Sequence, residues 1–164
     1  MRVFLAIAAL VILPACGGGS SGSSSGTGPI LLPPPPSTAE NNTFGGLLNG
    51  VRADNNRAPL TYDSRLGVAA QSHANDMLAN NFFDHTGSNG SEVWDRAKAA
   101  GYNWTTIGEN IAQGQQSMQA AMTSWTNSPG HHANNIDPDF EDFGLARSGS
   151  GGQLRWVLVL GAEN

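Results

Sequence analysis

Residues 63–81 read DSRLGVAAQSHANDMLANN, and the spacing of their apolar side chains decides the architecture. Leu66, Ala69, Ala70, His73, Ala74, Met77 and Leu78 recur at steps of three and four, one continuous stripe of an amphipathic helix. Asp63 or Ser64 supplies the side-chain oxygen that a helix start needs, and Asn80-Asn81 closes the pattern. A helix striped on one side must bury that stripe against something. The rest of the chain shows what that is.

Toward the N-terminus, Phe44, Leu47, Leu48 and Val51 mark an earlier helix, weakened by Gly45, Gly46 and Gly50. Toward the C-terminus, a third helix is predicted from about Ser91, carrying Val93, Trp94 and Ala97 and stopped by Gly101. A fourth begins near Ser117 with Met118, Ala121, Met122 and Trp125, and Pro129-Gly130 ends it. The period then changes. Leu154, Trp156, Leu158 and Leu160 alternate with Arg155, Val157 and Val159, the pattern of a well-buried strand. Residues 143–147 are a plausible partner across the Gly-Ser turn at 148–152, and a further strand is expected over 107–112. Helices followed by strands argue for an α+β fold, with helices packed on a small antiparallel sheet.

The first part of the chain belongs to no core. Residues 1–15 carry one basic residue and an apolar run from Val3 to Leu13, too short to span a bilayer and shaped like a signal peptide. Leu13-Pro14-Ala15-Cys16 resembles the lipobox of bacterial lipoproteins, which implies acylation of Cys16 and membrane attachment through acyl chains. The alternative is ordinary secretion with cleavage nearby. Residues 16–38, rich in Gly, Ser and Pro, read as a tether, leaving residues 39–164 as one domain. Cys16 is the single cysteine, so the domain has no internal disulfide. Without the leader, seven basic residues face thirteen acidic ones, a formal charge of −6 that offers no basic footprint for nucleic acid.

The four histidines are His73, His85, His131 and His132. His73 lies within the apolar stripe and reads as a core residue. His85 follows the helix in a loop, after Phe82 and Phe83, and Glu109 stands in Gly108-Glu109-Asn110, where burial demands a partner. Two imidazoles and a carboxylate suit zinc or another divalent ion. Yet His85, Glu109 and His131 are distant in sequence, and neither HExxH nor Cys-x-x-Cys occurs. Polar loop residues making local hydrogen bonds explain the same three positions. Ser128 lacks the G-x-S-x-G elbow of a nucleophilic serine, and the acidic run at 137–142 does not match a calcium loop.

The succession AQSHANDMLANNFFDHTGSNG, RAKAAGYNWTTIGENIA, SWTNSPGHHANNI, FEDFGLARS and RWVLVLGAE resembles the CAP superfamily of cysteine-rich secretory, antigen 5 and pathogenesis-related 1 proteins, also called SCP-like, in its bacterial exported branch. The likeness runs over about residues 44–162 and implies an α-β-α sandwich. It also implies a cleft of two histidines and two glutamates, in which some members bind a divalent ion. By that resemblance His85, Glu109 and His131 are three of the four cleft residues, while Ser128 stands where the second glutamate belongs. Asn49 and Arg52 match a helical His-Asn-x-x-Arg motif, with Leu48 in place of its histidine. Three functions are expected from this. The first is a surface-anchored binding module whose cleft holds a divalent metal or small ligand. The second is a weak metal-assisted hydrolase of peptides or envelope polymers, with Glu109 and His131 as its catalytic groups and Glu109 as general base. The third is a binder of lipid or sterol. Of the adjacent pair, His131 is the expected site residue and His132 is expected to face solvent or pack on its loop.

Overall fold

The computed structural model describes residues 2–7 and 36–163. Helix α1 spans Thr38–Asp54 and opens on a capping box: the Ser37 hydroxyl accepts from the Glu40 amide while the Glu40 carboxylate accepts from the Ser37 amide. Helix α2, Ser64–Ala79, starts at Asp63, whose carboxylate accepts from the Arg65 amide at 2.7 Å. It ends at Asn80, and Asn81 turns the chain with φ 51°. Helix α3 covers Val93–Ala99, and Gly101 at φ 87° reverses the chain behind it.

One helical boundary departs from the sequence reading. Helix α4, Met118–Thr126, ends one turn before the proline, and a separate helix α5, Pro129–Asn135, follows. Pro129 is the first residue of α5. Its missing N–H costs nothing there, because first-turn amides have no helical acceptor. The Ser-Pro-Gly segment therefore starts a helix, and His131 lies in the first turn of that helix.

The strands are β1 (Arg2–Ile7), β2 (Thr61–Tyr62), β3 (Trp104–Gln113), β4 (Asp142–Ser148) and β5 (Arg155–Glu163), in the spatial order β1-β3-β5-β4-β2. The β3, β5 and β4 strands pair antiparallel, as expected, with β5 in the middle. The two outer pairings, β2 on β4 and β1 on β3, are parallel. Residues 2–7, half of the expected leader run, thus extend the sheet. Cys16 and the tether before residue 36 lie outside the described residues.

Alternation along β5 builds both cores. Trp156, Leu158 and Leu160 pack with Phe44, Leu48, Trp125 and Phe143 under α1 and α4. Val157 and Val159 pack with Leu66, Ala70, Ala74 and Met77 of α2 and Val93 and Ala97 of α3 on the opposite face. Each large aliphatic or aromatic side chain buried this way contributes roughly 1.5–3 kcal/mol. Leu48, at the position of the family motif's histidine, is fully buried in the first of these cores. Phe44 meets Trp125 edge-on at 6.1 Å, and the Trp125 indole N–H donates to the Ile111 carbonyl at 3.1 Å, tying α4 to β3. Gly144 lets β4 lie against α2: a Cβ there would overlap the backbone of Leu66 and Gly67. The result is the expected α-β-α sandwich.

Candidate functional site

Strand β3 carries the polar centre. Glu109 shares its face with Ile107 and Ile111, so it points toward α2 and α3, into apolar surroundings, and it is fully buried. A carboxylate removed from water must be met by donors. His85 Nδ1–H donates to Oε1 at 2.8 Å, and Arg96 Nη2 donates to Oε2 at 2.8 Å. Arg96 also donates to the carbonyls of His85 (3.0 Å) and Ser91 (2.7 Å), which fixes the loop that carries His85. Burial pushes the Glu109 carboxyl up, but the His85 hydrogen bond and the Arg96 charge outweigh it and hold the group below the ordinary carboxylate value.

His73 joins this cluster from α2. Its Nε2–H donates to the Asp84 carbonyl at 2.8 Å, and the same nitrogen lies 3.8 Å from Glu109 Oε1. Burial holds its imidazole below the ordinary histidine value, more strongly than Glu109 raises it, so the ring is neutral. The 3.8 Å approach is therefore not an ion pair. The reading of His73 as a core residue holds, and the ring also packs tilted against Phe82.

Asn110, the next residue of β3, projects to the opposite face. Its Nδ2 donates to the His131 carbonyl at 3.1 Å and to Asn135 Oδ1 at 2.9 Å, while its Oδ1 accepts from Asn134 Nδ2 at 2.8 Å. These three buried asparagines bind α5 to β3 and so place His131, itself fully buried. Arg52 closes the other end of α5: its guanidinium donates to the carbonyls of Asn135 and Asp137, both at 2.9 Å. Burial lowers the Arg52 pKa from its ordinary value. Asn49 exchanges hydrogen bonds with both backbone groups of Leu60. Both motif residues of α1 are thus structural.

The expected residues separate into two groups. His85 and Glu109 meet directly on the α2–α3 side, whereas His131 belongs to the α5 side. Ser128 is half-buried at the cap position of α5, and its side chain makes no capping bond. His132 is half-buried. Among the described residues, no group of three His, Cys, Asp or Glu side chains gathers as metal ligands. Both Glu109 oxygens already accept from protein donors, and the side chain has no exposed surface. The donor set therefore does not fit a three-ligand centre with Glu109 as the third ligand. It fits a carboxylate that orients a histidine by accepting from its Nδ1. The same burial places Glu109 as a positioning residue and gives a general-base role no support.

Arg96, Asn110, Asn134 and Asn135 were not singled out from sequence. The one available signal was the demand that a buried Glu109 find a cation, and α3 offers both Arg96 and Lys98.

A three-layer sandwich with a polar cluster buried along β3 defines the class. The chain belongs to the CAP family, described as the cysteine-rich secretory protein family, whose sequence model matches residues 46–160. It is 34% identical over 105 residues to the uncharacterized protein YkwD of Bacillus subtilis strain 168, covering 64% of this chain and 41% of YkwD. The solved structure of an extracellular SCP-domain protein from Bacillus anthracis strain Ames is similar with TM-score 0.67 and 26% identity, over 74% of this chain and 40% of that one. An outer surface protein of Borrelia burgdorferi shares the fold, with TM-score 0.70 at 20% identity, over 77% of this chain and 95% of that one. The chain thus spans about two fifths of the length of YkwD and of the anthracis protein.

Proposed function

We propose that this CAP-domain protein is exported, held at the cell envelope through Cys16, and acts as a binding module rather than an enzyme. Its ligand site lies at the β3 edge, where His85 approaches from one side and His131 from the other. One observation carries this reading: a buried Glu109–Arg96 pair is given over to orienting a single histidine, an arrangement suited to holding a ligand-binding ring in one tautomer. The ligand class is a small polar molecule or a divalent cation such as zinc, held by two imidazoles and completed by other oxygen or nitrogen atoms. Export is supported by the apolar leader, the lipobox-like Cys16 and the likeness to an extracellular relative. Among the described residues no helix is long and apolar enough to cross a membrane.

The test is metal content by mass spectrometry on protein purified without chelator, beside the His85→Ala/His131→Ala variant. Zinc present in the first and lost from the second supports the site; equal zinc in both sinks it as a metal site.

A second reading, lipid binding, is favoured by a groove of about 460 Å³ lined by Pro36, Tyr62, Gly67, Val68 and Gln71. Val68 there is 60% exposed, the one large apolar side chain so exposed among the described residues. The groove contains none of the polar-site residues. Extraction and mass spectrometry of lipid co-purifying with the protein, compared with Val68→Asp, decides this reading; the same lipid on both removes it.

A further inference from the structure

The outer side of β3 is the edge of the family-matched sheet, since β3 has only β5 and β1 as neighbours among the described residues. A strand edge presents a row of backbone donors and acceptors that seek a partner. Here the partner is the segment RVFLAI, residues 2–7. It runs parallel to β3 in unbroken register from Arg2 opposite Thr106 to Ile7 opposite Ile111. Leu5 stands opposite Glu109 and Ala6 opposite Asn110, so β1 passes the two residues that divide the site. It also lies alongside α5, the helix that carries His131.

We propose that the outer edge of β3 is a strand-acceptor site for an extended, apolar peptide added parallel to β3. In the unprocessed chain, residues 2–7 hold that place, and a chain that has lost its leader offers it to a peptide of another protein. This goes beyond the proposed function by adding a second ligand class at the same edge, and it rests on reading the β3 edge as a binding site. Affinity comes from backbone hydrogen bonds along six residue pairs. Selectivity for apolar residues is read from the occupant, whose only polar residue is Arg2.

The experiment compares the full chain, expressed without export so that the leader is kept, with the full-chain variant Phe4→Pro/Leu5→Pro. Two adjacent prolines remove an inward amide whichever residue of the pair faces β3. The probe is a labelled RVFLAI peptide, with RVPPAI as its control. The variant is expected to bind RVFLAI saturably and at least about tenfold tighter than the unsubstituted chain, whose own leader competes at millimolar effective concentration. Outer-edge amides of β3 are expected to exchange slowly in the unsubstituted chain, fast in the variant, and slowly again with the peptide. Equal binding by the two chains, no binding by the variant, or unchanged β3 exchange overturns the proposal. A variant that fails to melt cooperatively also overturns it, because the leader is then part of the core. Zinc retained without peptide binding sinks this inference alone, and peptide binding without zinc sinks only the metal reading.

Discussion

Glu109 and Asn110 are consecutive in β3 yet serve opposite faces of the sheet. Glu109 accepts from His85 and Arg96 beside α2 and α3, and Asn110 holds the His131 carbonyl beside α5. The alternation of a strand thereby splits one short Gly-Glu-Asn segment into two positioning devices, one for each histidine. His85 and His131 are thus positioned from opposite faces of the sheet by consecutive residues of β3.

Replacing Glu109 by Gln keeps its shape and removes its charge, stranding Arg96 in the interior. Breaking a buried pair from one side costs roughly 3–5 kcal/mol. The denaturation midpoint should fall accordingly. The double variant Glu109→Gln/Arg96→Met should lose less than the sum of the two single changes. Additive losses would remove the pairing as the reason for the cost.

Asn110→Ala deletes three hydrogen bonds to α5 and leaves the His131 carbonyl and the Asn134 amide without this partner. The expected destabilisation is about 1–3 kcal/mol, with amide exchange in α5 accelerating more than in α2. Equal acceleration in both helices would show that Asn110 does not hold α5 locally.

Acid should destabilise the fold in two stages. His73 has a depressed pKa when folded, so the unfolded chain binds protons first, and stability falls as pH drops through the ordinary histidine value of 6.5. Glu109 is also depressed when folded; its contribution is complete above the ordinary value of 4.5 and is lost as pH falls toward its folded value. Melting temperatures measured from about pH 8 to about pH 3 should show both slopes. In His73→Gln, which keeps a donor for the Asp84 carbonyl, the upper slope should flatten.

Gly144→Ala places a methyl group into the backbone of Leu66 and Gly67. Because both sides of that contact are main chain, no rotamer change relieves it, and a loss of roughly 3 kcal/mol or more is expected. Thermal melting checks this, with Gly46→Ala, where the added carbon meets nothing within 4 Å, as the control.

Helices α1 to α4 were legible because each keeps its apolar stripe, and β5 because both of its faces are apolar. The α2 spacing even included His73, whose burial follows from the stripe. The break between α4 and α5 was misread, since Pro-Gly is as compatible with ending one helix as with starting the next; only the packing of α5 on β3 through the asparagines selects the second.

From sequence alone came the sandwich class, one domain without a disulfide, and the family likeness that named His85, Glu109 and His131. The α+β class rests on periodicity, and the sandwich and the three residues rest on the family likeness; all of these are read locally along the chain. Tertiary structure alone decided what the three residues do to one another. Arg96 neutralises Glu109 across thirteen positions of chain, Asn110 places His131 across twenty-one, and β1 meets the β3 edge from the far end of the sequence. Burial is the physical reason: a carboxylate or amide withdrawn from water is satisfied by whichever donors the fold brings to it, and nothing in its near sequence says which those are.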